Sequence, residues 1–225
     1  MRWVLWILVV AAIVAVIVIV PARVVERQIA GALHPLLEPG GTVTVRARVG
    51  PLGLIRGYLG RVRVTARGIR IGSLTSQRLD AMLTGVDLIK TPGGDRAVGR
   101  VRGGRAVIEF GRTDLEQFLR KRGVENPVVA IDASGVAAEG MATLGGASVR
   151  ARIRGQFIAA GADLLFRVTS LEVSGVDVPA VIAQTALGLV QPAVSFRDLP
   201  FRMVIERVTS EEGRVVVRAL IEETP

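Results

Sequence analysis

The chain has 225 residues and a mass of 23.9 kDa, with 50% hydrophobic and 22% charged residues, which excludes wholesale disorder and leaves room for one medium domain, or one domain plus an anchor. It contains no cysteine and one histidine, His34, which excludes disulfides, thiolate metal sites, cysteine nucleophiles and a histidine-rich metal centre. Basic residues outnumber acidic ones 29 to 20, a net charge of +9, and all but Lys90 and Lys121 are arginine; such a surface favours phospholipid headgroups, nucleic acid or acidic polymers.

Trp3 to Val20 are 18 consecutive apolar residues. As a helix they span about 27 Å, close to a hydrocarbon core of about 30 Å, and Trp3 and Trp6 sit where interfacial indoles belong. The expectation is a transmembrane anchor over residues 1–20. The alternative is a signal peptide cleaved near Val20-Pro21-Ala22, although the apolar run is longer than such a region requires. Both readings put the remainder outside the cytoplasm. Pro21 to Leu37 predicts an amphipathic helix with Val25, Ile29, Leu33 and Leu36 on one face, stopped by Glu38-Pro39-Gly40-Gly41. Residues 21–39 are thus a juxtamembrane helix, free to lie on the membrane or to pack on the domain formed by residues 40–225.

From Thr42 the period becomes two. Val43, Val45, Ala47 and Val49 alternate with Thr44, Arg46 and Arg48; Val62, Val64 and Ala66 with Arg61, Arg63, Thr65 and Arg67; Val149, Ala151 and Ile153 with Arg150, Arg152 and Arg154; Val215, Val217, Ala219 and Ile221 with Arg214, Val216 and Arg218. Each run predicts a strand with one apolar and one arginine-bearing face. Further strands are expected at 105–110, 128–132, 164–173 and 201–208, with turns at 91–95, Gly103-Gly104, Gly145-Gly146 and 211–213. Connections this short favour antiparallel pairing. Two helices interrupt the strands. One runs from about Thr113 to Arg122, with Thr113 and Glu116 as a capping box and Leu115, Phe118 and Leu119 buried. The other runs from about Val178 to Val190, with Asp177 as N-cap. It is apolar nearly all round, so it is either core or set against something greasy that is not protein. Many apolar strand faces and few helices predict an α+β fold: a curved, mostly antiparallel sheet or open barrel with two or three helices and an apolar groove. An apolar trough rimmed by arginine suits acyl chains and their headgroups.

No G-x-S-x-G, P-loop, dinucleotide fingerprint or H-E-x-x-H is present, and the acidic residues are dispersed. The chain is therefore read as a non-enzyme needing no cofactor or metal, with a hydrolase built on a carboxylate pair as the weaker possibility. Nucleic acid is not an expected partner, because the soluble part has few stacking aromatics and no zinc or helix-turn-helix signature.

Two blocks carry a family resemblance: Val49-Gly-Pro-Leu-Gly-Leu-Ile-Arg-Gly-Tyr-Leu-Gly-Arg-Val-Arg-Val-Thr-Ala-Arg-Gly-Ile, continuing to Leu83-Thr-Gly-Val-Asp-Leu88, and Asp198-Leu-Pro-Phe-Arg-Met-Val-Ile-Glu-Arg-Val followed by Gly213-Arg-Val-Val-Val-Arg-Ala219. Together they resemble the LmeA-like family of bacterial cell-envelope proteins, a likeness covering roughly residues 40–220. The resemblance implies an export or anchor segment, phospholipid binding and a role in envelope lipid metabolism, and it offers no catalytic residue to carry over. On their own chemistry, Leu52, Leu54, Ile55 and Leu59 suit insertion into a trough or bilayer, or closure of one end of the core. Tyr58 is amphipathic and interfacial, Arg56 and Arg61 suit phosphate oxygens, and Val181, Ile182 and Leu187 lie on the apolar second helix. The expected partners are anionic phospholipid and the membrane. An envelope scaffold that holds proteins or anionic wall polymer is the alternative.

Overall fold

The computed structural model describes residues 26–27, 29–31, 33–48, 58–90, 96–144, 147–188, 193–197, 199 and 202–223. The proposed anchor Trp3–Val20 lies outside them; among the described residues no helix is long and apolar enough to cross a membrane. Glu26, Arg27, Ile29, Ala30, Gly31 and Leu33 are helical, and a 3-10 turn, His34–Leu36, follows. Ile29 and Leu33 are buried in the main core, and the Glu26 carboxylate accepts from the Ala47 N–H at 3.1 Å. Of the two placements open to this segment, the helix takes the one on the domain.

The chain then builds two antiparallel sheets. The first contains β1 (Leu37–Arg48), β2 (Tyr58–Ile71), β3 (Leu74–Ser76), β4 (Arg78–Lys90) and β5 (Arg96–Gly111), and recruits the last two strands, β12 (Met203–Glu211) and β13 (Arg214–Ile221). Its order is β1-β2-β4-β5-β13-β12, with β3 on β2. The second contains β6 (Glu125–Asp132), β7 (Gly135–Leu144), β8 (Ala147–Ala160), β9 (Asp163–Val173), β10 (Val176–Val178) and β11 (Val194–Ser195), in the order β10-β9-β8-β7-β6 with β11 also on β9. The fold is therefore mostly antiparallel β with few helices, as expected. It is built from two open sheets, and neither closes into a barrel among the described residues. Helix α1 (Arg112–Lys121) joins β5 to β6, and α2 (Ala180–Gly188) joins β10 to β11.

The period-two residues decide which face is inside. Val62, Val64 and Ala66 on β2, Leu79 and Ala81 on β4, Ala106, Ile108 and Phe110 on β5, and Val215, Val217 and Ala219 on β13 are at most 1% exposed. The register sets them side by side: Val64 opposite Ala81, Ala81 opposite Ala106, Ile108 opposite Val217. Many of their neighbours on the outer face are charged, with Arg63 gripping Asp80 through two bonds of 3.0 and 2.8 Å, although Val216 on β13 is buried as well, at 4% exposed. The inner face meets the second sheet where β12 packs on β8 and the Ile205 N–H reaches the Gly161 carbonyl at 2.9 Å.

Near one end of the first sheet the buried side changes. Leu59, Val86 and Val101 form one cross-strand row and are 0%, 0% and 5% exposed, yet by parity they belong to the face of Arg61 and Arg105. The change falls at Gly60, Gly85 and Gly103. Gly85 has φ +65°, and a Cβ there would lie 2.8 Å from the Arg102 side chain. Only glycine fits both demands at little cost.

Several local expectations are corrected. Glu38-Pro39-Gly40-Gly41 does not end a helix; it lies inside β1 as a bulge, with the register shifting between Leu37 and Thr42 and Gly40 at φ +85°. Gly103-Gly104 is not a turn but the middle of β5, because Leu83 and Thr84 pair with it. Asp177 is paired with Glu172 in β10 and does not cap α2; the carbonyl of Pro179 starts that helix by accepting from Ile182 and Ala183. At α1 the anticipated Thr113–Glu116 box is displaced by two residues, to Gly111 and Asp114. The Asp114 carboxylate takes the Gly111 N–H at 2.7 Å, whereas Glu116 accepts from the Val129 N–H at 3.3 Å.

Burial pushes the Asp114 carboxyl above its ordinary value of 3.8, against the lowering effect of its bonds from the Gly111 and Gln77 N–H groups. Its ionised form is thus less favourable folded than unfolded. The stability this group supplies is complete below about pH 3.8 and declines as pH rises through the raised value. Asp114→Asn keeps an acceptor for Gly111 and removes that decline. Urea unfolding midpoints of variant and parent should nearly coincide at pH 3, and the variant should be the more stable at pH 7.

Candidate functional site

The second sheet is apolar on one face and only half covered. Ala138, Ile153 and Leu171 form one cross-strand row, and Ala142 and Val149 pair further along; all are partly exposed. The opposite face carries Arg150, Arg152 and Arg154, with Arg152 bound to Glu139 at 2.9 Å and near Glu172 at 3.6 Å. The predicted division of β8 into an apolar and an arginine face therefore holds, and the apolar side is the less covered of the two sheet interiors.

Helix α1 roofs one end of this face. Leu115 is buried, and Phe118 and Leu119 pack beside it on the core. Beneath them is a cavity of about 120 Å³ lined by Leu115, Phe118, Leu119, Val129, Val136, Ala138, Ile153, Phe157, Phe166 and Ala193. Among the described residues no titratable side chain lines it. Walls that offer water so few hydrogen bonds are suited to hydrocarbon.

A second, more open space of about 470 Å³ lies between the ends of β8 and β9 and helix α2, lined by Ile158, Leu165, Phe166, Arg167, Val168, Val181, Gln184 and Thr185. Its form follows from a gap in the sheet. Along the outer edge of β9, β11 takes Asp163 and Leu164 and β10 takes Leu171 to Val173. Between them the edge is met by a side chain: Gln184 accepts from the Val168 N–H at 2.9 Å and donates to the Phe166 carbonyl at 3.4 Å. This explains the one amide in an otherwise greasy helix, since an unpaired strand edge would leave backbone groups unsatisfied. Arg167 lies in this groove, exposed, and makes no ion pair among the described residues.

The anticipated site residues are scattered. Leu52, Leu54, Ile55 and Arg56 lie outside the described residues. Tyr58 opens β2 opposite Asp87, its side chain likewise undescribed. Leu59 is fully buried within the main core. Arg61 is exposed on the outer face, opposite Arg48 and Thr84. On α2, Ala183 is buried, while Val181 is 78% and Ile182 60% exposed; Leu187 is helical, with its side chain undescribed. Arg61 is therefore on the first sheet while α2 packs against β9 of the second, and the structure brings Val181, not Arg61, to the larger groove. Phe157, Phe166 and Arg167 were not singled out from the sequence, and the buried side of α1, which was, gave no sign of roofing a cavity. A signal was present. Phe157-Ile158 and Leu164-Leu165-Phe166 are adjacent apolar residues on strands that otherwise alternate, which marks a strand end covered on both faces.

Among the described residues no group of three or more His, Asp or Glu stands close enough to hold a metal ion. No curated protein and no solved structure matches the chain. The pattern of the LmeA-like phospholipid-binding family matches residues 20–219. With that match over most of its length, and with an apolar cavity beside an arginine-bearing groove, the chain belongs to the LmeA-like phospholipid-binding family.

Proposed function

We propose that this protein is a non-catalytic, membrane-anchored lipid carrier or presenter outside the cytoplasm, which takes an anionic phospholipid from the bilayer for envelope lipid metabolism. The observation that carries the reading is the pairing of a cavity with an apolar lining with an adjoining groove that holds the exposed guanidinium of Arg167, without an ion pair among the described residues, in a chain of a phospholipid-binding family. Apolar burial supplies affinity at about 0.8 kcal/mol per methylene, and arginine supplies charge-assisted contact to phosphate oxygens. In this reading Trp3–Val20 is the anchor, Val181 and Ile182 touch the bilayer, and Leu52, Leu54, Ile55, Arg56, Tyr58 and Arg61 form an interfacial segment tied to the core by Leu59.

The test is native mass spectrometry on residues 21–225 purified from cells. Phospholipid should remain bound. Protein that is lipid-free and also ignores phosphatidylglycerol vesicles would overturn the reading. It would then favour the alternative, a scaffold for anionic wall polymer, for which the exposed Arg46, Arg61 and Arg67 of the outer face, without carboxylate partners among the described residues, are the motivating feature.

A further inference from the structure

Among the described residues Phe166 is the one side chain common to the apolar cavity and the more open groove. It sits at the stretch of β9 where, among the described residues, no strand pairs on the outer edge and Gln184 bridges to the backbone. Its ring packs edge-on against Phe157, opposite it on β8, with centroids 5.1 Å apart. Gly155 makes room for it, because a Cβ there would lie 2.7 Å from the ring. The next residue along β9, Arg167, points by alternation to the other face of the strand and lines only the open groove.

Resting on the reading of the chain as a phospholipid binder, we propose that Phe166 is the partition between an acyl-chain chamber under α1 and a headgroup groove under α2. One chain of the lipid passes the ring into the chamber, while its phosphate stays outside on Arg167. The arrangement follows from chemistry. The chamber offers no hydrogen bond, so a phosphate cannot enter without losing its solvation. The groove offers a cation one residue from the entrance, so a diacyl lipid can satisfy both ends at once. A free phosphate ion would gain only the outer contact.

The experiment uses the full chain in vesicles of phosphatidylglycerol and phosphatidylcholine. A trace of phosphatidylglycerol carries a photoreactive group near the end of one acyl chain, and the attached peptides are read by mass spectrometry. Attachment should fall on α1 and on the inner face of β8. Ala138→Phe, which fills the chamber, should abolish it there, and shorter chains should bind in place of long ones. Phe166→Ala should speed labelling without changing headgroup preference. Arg167→Ala should reduce labelling from phosphatidylglycerol by about tenfold, flatten its salt dependence and leave labelling from phosphatidylcholine unchanged. Inorganic phosphate should protect no better than chloride of equal ionic strength. Circular dichroism accompanies each variant; if Ala138→Phe does not fold, Ile153→Ala replaces it and should admit longer chains.

Attachment within the domain but away from α1 and β8, or indifference to both Phe166→Ala and Arg167→Ala, would overturn this inference and leave lipid binding standing. Specific protection by inorganic phosphate would reassign Arg167 to a free anion and overturn the headgroup assignment. Complete lack of attachment to the domain would instead sink the phospholipid reading beneath it.

Discussion

Replacing Val181 and Ile182 together by aspartate is expected to remove vesicle binding by residues 21–225 while leaving the fold intact. Both side chains are largely exposed, at 78% and 60%, so a carboxylate at either position remains in water and costs the domain little. That differs from what an apolar helix suggests at first sight, where a charge would be buried and ruinous. Burial of one such side chain in hydrocarbon is worth about 1.5–3 kcal/mol, and two together correspond to a hundredfold or more in partitioning, roughly 1.4 kcal/mol per decade. The added charges also repel anionic lipid. Sedimentation with phosphatidylglycerol vesicles measures the loss, and an unchanged thermal midpoint shows that the fold is not responsible. Retained binding would mean that α2 does not meet the bilayer. Because the chain has no cysteine, Ile182→Cys carrying an environment-sensitive dye gives a second reading of the same contact.

Phe110→Ala should have the opposite signature. Phe110 is 1% exposed and among the largest fully buried side chains. It stands opposite Val215, one residue before Gly111, whose N–H is held by Asp114 at the start of α1. Its truncation leaves a cavity where β5 hands over to the roof of the chamber. Losses of about 3–5 kcal/mol are usual for such a change, which for a domain of this size lowers the thermal midpoint by roughly 6–20 °C. Vesicle binding below the new midpoint should persist, since the exposed face of α2 is untouched. A shift of only a degree or two would show that the two sheets do not depend on this ring.

Much of the first sheet was legible because its strands have one wet face. Val62, Val64 and Ala66, and Val215, Val217 and Ala219, are buried as their spacing requires, and Arg214 to Ile221 is a strand with the predicted limits. Strands β4 and β7 were less visible. In Arg78–Lys90 the change of buried face at Gly85 breaks the alternation, and Gly135–Leu144 presents small residues such as Ala137 and Ala138, which carry little pattern. The division into two sheets is a matter of pairing between distant segments, to which a periodic pattern is blind. The same holds for the chamber. Leu115, Phe118 and Leu119 were identifiable as the buried side of a helix, but that they roof a cavity depends on β8 and β9 lying beneath them. Arg167 looked like one arginine among many; its distinction comes from the interruption in β9 pairing, which Gln184 fills.

The place of β13 between β5 and β12 has a consequence for how the chain is made. Ile108 and Val217, partners across that seam, are separated by the whole second sheet in sequence. While the chain is being delivered, β1 to β5 stand ready with an uncapped edge until the final strand arrives. Distant closures of this kind are slow, and a waiting edge is a template for the wrong neighbour. A chain that ends before Arg214 leaves both β5 and β12 without their shared partner. Premature termination there should yield aggregates rather than a shorter, working protein, even though every residue of the chamber and groove has already been synthesised.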